Sequence, residues 1–188
     1  MPKMTKTTIQ KIPSESLLFK PAQQAYITNC FSIQSSHLYL PIEEIYARLM
    51  SKTPKWFDIL MRLRDRIVII LGLKSTQNMA GRNSLFEQTG KQFNLKNTTK
   101  PCKIMDFFEI TALSENEIIL SIKDSHLDMQ TSLLRHKINR ANNTCQLSLN
   151  DVIITHNVLG KIYLFFIMPI HKIIVKKTLN DAKQRGDI

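Results

Sequence analysis

The chain has 188 residues and a formal net charge of +11 at pH 7. This length fits one domain, and a composition of 43% apolar and 22% charged residues excludes a wholly disordered chain, because it can form a self-sufficient core. Three widely spaced cysteines without a CxxC pair argue against a disulfide framework and a zinc knuckle, so we expect a reduced, cytoplasmic location.

The excess of positive charge favours anionic partners. A nucleic-acid-binding tail usually contains a run of five or six like charges. The lysines and arginines of this chain are spread out instead, and no such run appears. We therefore do not expect nucleic acid as a partner. An anionic membrane surface stays open as an alternative.

The first third of the chain predicts an arm, a strand and two helices. Prolines punctuate the polar residues 1–21, which predicts a flexible N-terminal arm. Residues 26–33 are rich in β-branched and aromatic side chains, as in a strand. Pro41 suits the first turn of a helix over 41–50, and an amphipathic stripe predicts a second helix over 54–71.

The middle of the chain changes in composition and then becomes strand-like. Residues 74–103 are rich in polar residues, with one short strand expected around 84–87. Four strands are then predicted, and the short links between them indicate antiparallel hairpins: 105–113, 117–123, 126–139 and 144–155.

The last long segment, 156–179, is apolar but interrupted by cations, so protein, lipid or a ligand must cover it. We predict a helix capped by Thr155 or Asn157 and kinked at Pro169. The order of elements predicts an α+β fold of the helix-grip type, in which a curved antiparallel sheet wraps around a long C-terminal helix and two helices separate the first and second strands. We place the single domain at 22–183 and a tail at 184–188.

Three stretches stand out in this order: 53–74 (Thr-Pro-Lys-Trp to Leu-Gly-Leu-Lys), 124–128 (Asp-Ser-His-Leu-Asp) and 156–171, which includes His-Asn-Val-Leu-Gly-Lys and Pro-Ile-His. Together they resemble one uncharacterised bacterial family, domain of unknown function 2867. The resemblance covers residues 22–180 and implies a fold similar to the helix-grip superfamily of lipid-transfer and polyketide-cyclase proteins. It implies no activity. Ile170 departs from the phenylalanine that the family often has after the proline.

The best polar pattern is Asp124-x-His126-x-Asp128, which on a strand would point three side chains to one face. Two carboxylates beside an imidazole suit acid–base chemistry or metal binding. The alternative is structural, with Asp124 in a turn and His126 in an ordinary hydrogen bond. His156 and His171 lie about 22 Å apart along a continuous helix, so each is expected to be a cap or surface residue.

We predict no metal and no cofactor, because the sequence carries no HExxH, GxSxG or glycine-rich phosphate loop. Three hypotheses follow. The protein binds a hydrophobic or amphipathic small molecule or lipid in the helix-grip cavity; it is a cyclase-, dehydratase- or isomerase-type enzyme using His126; or it docks on a membrane or a partner through its basic C-terminal helix. Besides the Asp–His–Asp residues, the candidate cavity lining is Leu127, Met129, Leu133, Phe165, Phe166 and Met168.

Overall fold

The structure, a computed structural model, describes residues 7–51, Arg66 and 108–188. In this part of the chain, six antiparallel strands form one curved open sheet in the order β1-β2-β6-β5-β4-β3. The elements in chain order are β1 (Thr8–Ile9), α1 (Phe19–Ala22), β2 (Ile27–Ser35), α2 (Ile42–Ser51), β3 (Glu109–Leu113), β4 (Glu117–Lys123), β5 (Leu127–Asn139), β6 (Thr144–Thr155) and α3 (Val158–Arg185).

The predicted α+β class, with the sheet gripping a long C-terminal helix, is confirmed. The predicted first strand is β2, because the short β1 precedes it and pairs with it. The first predicted helix is α2. The predicted helix over 54–71, the strand around 84–87 and the start of the strand at 105 lie outside the described residues.

Alternation along the strands directs the main core to the concave face of the sheet, where α2 and α3 pack. Fully buried side chains from β2, β5 and β6 meet α2 and the C-terminal half of α3. Each aliphatic side chain buried in this way contributes about 1.5–3 kcal/mol. The largest members of this core are Phe31, Ile33, Ile42, Ile45, Tyr46, Leu49, Ile118, Leu120, Leu133, Leu147 and Leu179.

The N-terminal arm packs on the opposite, convex face, whereas the sequence predicts a flexible arm over 1–21. Ile12 and Leu18 are buried against Cys30 and Val152. The buried carboxylate of Glu117 fastens the arm, because it accepts a 2.6 Å hydrogen bond from the Ser16 hydroxyl and a 2.8 Å bond from the Leu17 amide. Pro13 and Pro21 therefore lie in a segment held by buried polar and apolar contacts.

Helix α3 has well-defined caps. The Asn157 side chain accepts a 2.9 Å hydrogen bond from the Gly160 amide and so serves as the predicted N-cap. The helix runs through Pro169 and ends at Gly186, whose φ of 73° favours glycine. The C-terminal Ile188, in the predicted tail over 184–188, is buried in the main core.

Candidate functional site

A polar row crosses the concave face of the sheet beneath α3. Asn29, Asp151 and Thr131 are register partners on three adjacent strands, and all three side chains point to the helix side. The Asp151 carboxylate is fully buried. It accepts a 2.9 Å hydrogen bond from the Thr131 hydroxyl, and its other oxygen lies 2.9 Å from Nε2 of His171 on α3.

Asp151 and His171 form the titratable pair of this row. Burial alone would lower the pKa of His171, but the charge of Asp151 and the hydrogen bond to it outweigh burial and hold the pKa above its ordinary value. The His171 side chain is 25% exposed, while that of Asp151 is 0% exposed. The buried carboxylate of Asp151 thus stabilises the protonated form of its imidazole partner, and the imidazole is the more exposed side chain of the two.

Asn29 contributes a hydrogen-bond donor that none of the described residues accepts. Its Nδ2 atom is buried and has no partner among them. The Cβ atoms of directly opposed residues lie about 4.5–5.5 Å apart, so the Asn29 amide stands beside the Asp151 carboxylate. A polar ligand atom that accepts a hydrogen bond would satisfy it.

An apolar row runs parallel to the polar row, two residues away from it on each strand. Ile27, Ile153 and Met129 are register partners there. Leu164 and Met168 of α3 pack on Ile153, but the side chains around this cluster are only partly buried. The polar row therefore lies between the closed main core on one side and a partly open apolar cluster on the other.

The structure assembles part of the predicted lining. Leu127, Met129 and Met168 meet in the partly open cluster. Leu133 belongs to the closed main core instead. Phe165 and Phe166, the two phenylalanines of the predicted lining, are 74% and 51% exposed and contact each other edge to face on the outer side of α3.

The Asp-His-Asp pattern does not form one constellation. Asp124 lies in the turn after β4, where its carboxylate accepts from the Ser125 amide at 2.6 Å. His126 is in the same turn, with Nδ1 3.1 Å from the Asn157 amide nitrogen, and no hydrogen bond or ion pair joins it to Asp124 or Asp128. Strand β5 begins only at Leu127, so the strand geometry that predicted a shared face does not apply.

Asp128 pairs with a different histidine. Its Oδ1 atom lies 3.2 Å from Nε2 of His156 at the exposed base of α3. Within the described residues, no group of three or more His, Cys, Asp or Glu side chains is arranged to hold a metal ion. His126 and Asp128 thus connect the β4–β5 turn and the start of β5 to the residues just before α3, through Asn157 and His156.

Sequence reasoning misses the polar row, because Asn29 and Asp151 show no motif and His171 was expected at the surface. One signal is present: in β6, Asp151 shares the parity of the core residues Leu147, Leu149 and Ile153. A carboxylate at an inward strand position requires a buried partner.

The convex face holds a second polar chain. His136 Nε2 lies 2.6 Å from the Ser148 hydroxyl, which lies 2.7 Å from that of Ser32. Burial, together with the nearby charge of Lys137, lowers the pKa of His136. These hydrogen bonds link strands β5, β6 and β2, and both serine hydroxyls are buried.

Fold and site together define an α+β protein consistent with the helix-grip architecture, with a charged pair under the gripped helix. The model of the family described as "Protein of unknown function (DUF2867)" matches residues 21–178, so the chain belongs to that family. No curated protein and no solved structure matches the chain.

Proposed function

We propose that this protein binds an amphipathic small molecule between α3 and the concave face of the sheet. The observation that carries the proposal is the Asn29 donor, which has no partner among the described residues and lies next to the partly open apolar cluster. A buried polar group left unpaired costs about 1–3 kcal/mol, and a ligand oxygen would remove that cost. Two residues along a strand span about 6.6 Å, so one small molecule reaches both rows.

The two rows orient the ligand. Its acceptor oxygen lies at Asn29, the register partner of Asp151, and its apolar part lies on the cluster of Ile153, Leu164 and Met168. A carboxylate, carbonyl or hydroxyl at the end of an aliphatic chain has this chemistry.

A fluorescent fatty acid, 11-(dansylamino)undecanoic acid, tests the proposal by titration into the purified protein. We expect saturable binding with enhanced dansyl emission, and displacement by dodecanoic acid. Asn29→Leu removes the donor and should weaken binding about tenfold, the equivalent of one hydrogen bond of roughly 1.4 kcal/mol.

Asn150→Leu is the matched control, because Asn150 is also a buried strand asparagine with an unpaired atom but points to the convex face. It should leave dansyl binding unchanged. Absence of saturable binding, or equal loss in both variants, would refute the site. Far-UV circular dichroism confirms that each variant is folded, and Thr131→Ser gives a milder perturbation of the same row.

We also propose that the protein is located in the cytoplasm. Cys30 and Cys145 are free and buried, and burial raises the pKa of both thiols. Inert reduced thiols of this kind suit a reducing compartment.

A further inference from the structure

The outer side of α3 carries an apolar surface that the sheet does not cover. We call it the outer stripe. Phe165 is 74% exposed, Val158 70% and Ile173 64%. The stripe consists of Val158, Ile162, Phe165, Phe166, Pro169 and Ile173.

Helix geometry places these side chains on one face. At about 100° per residue, the members of the outer stripe fall within roughly a third of the circumference. The buried residues Leu164, Met168 and Val175 point to the other side. The helix is thus apolar on two faces, and the sheet covers only one of them.

Charge on this part of the helix has one sign. Lys161 and Lys172 are exposed along one edge of the outer stripe, and no acidic residue occurs from Val158 to Asn180. The Lys161 ammonium also lies 5.3 Å from the ring centroid of Tyr26, which is half exposed and extends the surface toward β2. An apolar centre with aromatic rings and a lysine edge is the composition of a helix that lies in a membrane interface.

We infer that the outer stripe docks on an anionic lipid bilayer, with its phenyl rings at the acyl boundary and the lysines at the headgroup phosphates. By length and composition alone, α3 is also apolar enough to cross a membrane. Its opposite face packs on the sheet, however, through Leu164, Met168 and Leu179. The helix therefore lies along the surface rather than across it.

A second copy of the chain fits this face less well than a bilayer does. Each copy carries a net charge of +11, and pairing two stripes would bring the two lysine edges together without a carboxylate between them. Anionic headgroups instead supply the complementary charge. Each lysine near such a surface strengthens binding about fivefold at moderate salt.

Co-sedimentation with sucrose-loaded vesicles tests the inference. The protein is mixed with vesicles of phosphatidylcholine alone, or of phosphatidylcholine and phosphatidylglycerol in equal parts. We expect partitioning to the anionic vesicles that weakens with added salt, and little to the neutral ones. Phe165→Ser should reduce the partition coefficient about tenfold, and Lys161→Glu with Lys172→Glu by more than about tenfold.

Two controls separate the outer stripe from general stickiness. Tyr39→Ser removes another exposed aromatic side chain, 78% exposed in the β2–α2 connection, and Lys20→Glu reverses a charge on α1. Both should leave partitioning within about twofold of the wild type, apart from the small effect of net charge. All substituted positions are exposed, and thermal melting confirms that the variants remain folded.

Three results would overturn the inference. The first is the absence of binding to the anionic vesicles. The second is a loss in Lys20→Glu as large as that in the double variant Lys161→Glu with Lys172→Glu. The third is a dimer in sedimentation velocity that Phe165→Ser dissociates. The last would show that a second copy covers the stripe. The vesicle assay uses no dansyl ligand, so its outcome is independent of the small-molecule site.

Discussion

Replacing Asp151 by asparagine tests the charged pair under α3. The substitution keeps the shape of the side chain but changes both of its hydrogen bonds from charge-assisted to neutral. Charge-assisted bonds contribute about 1.5–3 kcal/mol and neutral ones about 0.5–1.5, so two such changes should lower the free energy of unfolding by about 2 kcal/mol. His171→Leu should cost more, about 3–5 kcal/mol, because it leaves a buried carboxylate without its cation.

The pH dependence gives this prediction its sign. The pKa of His171 is raised in the folded state above about 6.5, the unfolded value, so the folded protein binds the proton more tightly. The stabilisation is fully present below the unfolded pKa and is lost as pH rises through the folded pKa. Asp151→Asn should therefore cost most at mildly acidic pH and progressively less toward alkaline pH.

Urea unfolding followed by circular dichroism at a series of pH values measures these differences. Asp128→Asn is the control, since it breaks the exposed pair with His156 and should cost less than about 1 kcal/mol. The reasoning fails if the cost of Asp151→Asn does not change with pH, or if His171→Leu is no more destabilising than Asp128→Asn.

Three further predictions concern the rest of the fold, and urea unfolding measures the stability changes in the first and the third. Gly160→Ala should destabilise by about 1–3 kcal/mol because its Cβ would collide with the backbone carbonyl of His126, whereas Gly186→Ala, with open space around it, should cost only about 1 kcal/mol for its positive φ; equal costs would contradict the collision. Glu117→Gln weakens the two bonds to the N-terminal arm and should speed limited proteolysis there, and an unchanged cleavage rate would show that the apolar contacts suffice. Burial lowers the pKa of His136, so the stability that its neutral form contributes is present above the unfolded pKa and is lost as pH falls through the folded pKa. His136→Gln should therefore make the free energy of unfolding less sensitive to acid. An unchanged dependence of that free energy on acid pH would exclude this role.

The sequence predicts the described elements well where local signals are strong. Strands β4 and β6 match the predicted ranges, and the helix over 41–50 is found at Ile42–Ser51. The contacts of the N-terminal segment are less predictable. Ser16 and Leu17 bond to Glu117, about a hundred positions away, and no local pattern encodes such a partner.

The site is less predictable than the fold for the same reason. Asp-x-His-x-Asp is conspicuous in sequence, yet the β4–β5 turn separates its members. The polar row, by contrast, joins Asn29, Thr131 and Asp151 through strand pairing, and His171 through helix packing. Only tertiary register brings these four together, so their positions in the sequence show no spacing to recognise.

Helix α3 links the two proposals, because it is apolar on two faces and the sheet can cover only one. Its C-terminal half is sealed by Val175 and Leu179 in the main core. Its N-terminal half carries both the partly open cluster around Met168 and the most exposed phenyl ring, that of Phe165. A bilayer on the outer stripe would therefore lie next to the less closed half of the grip. An amphipathic molecule leaving the membrane would meet the apolar cluster first and the unpaired donor of Asn29 second.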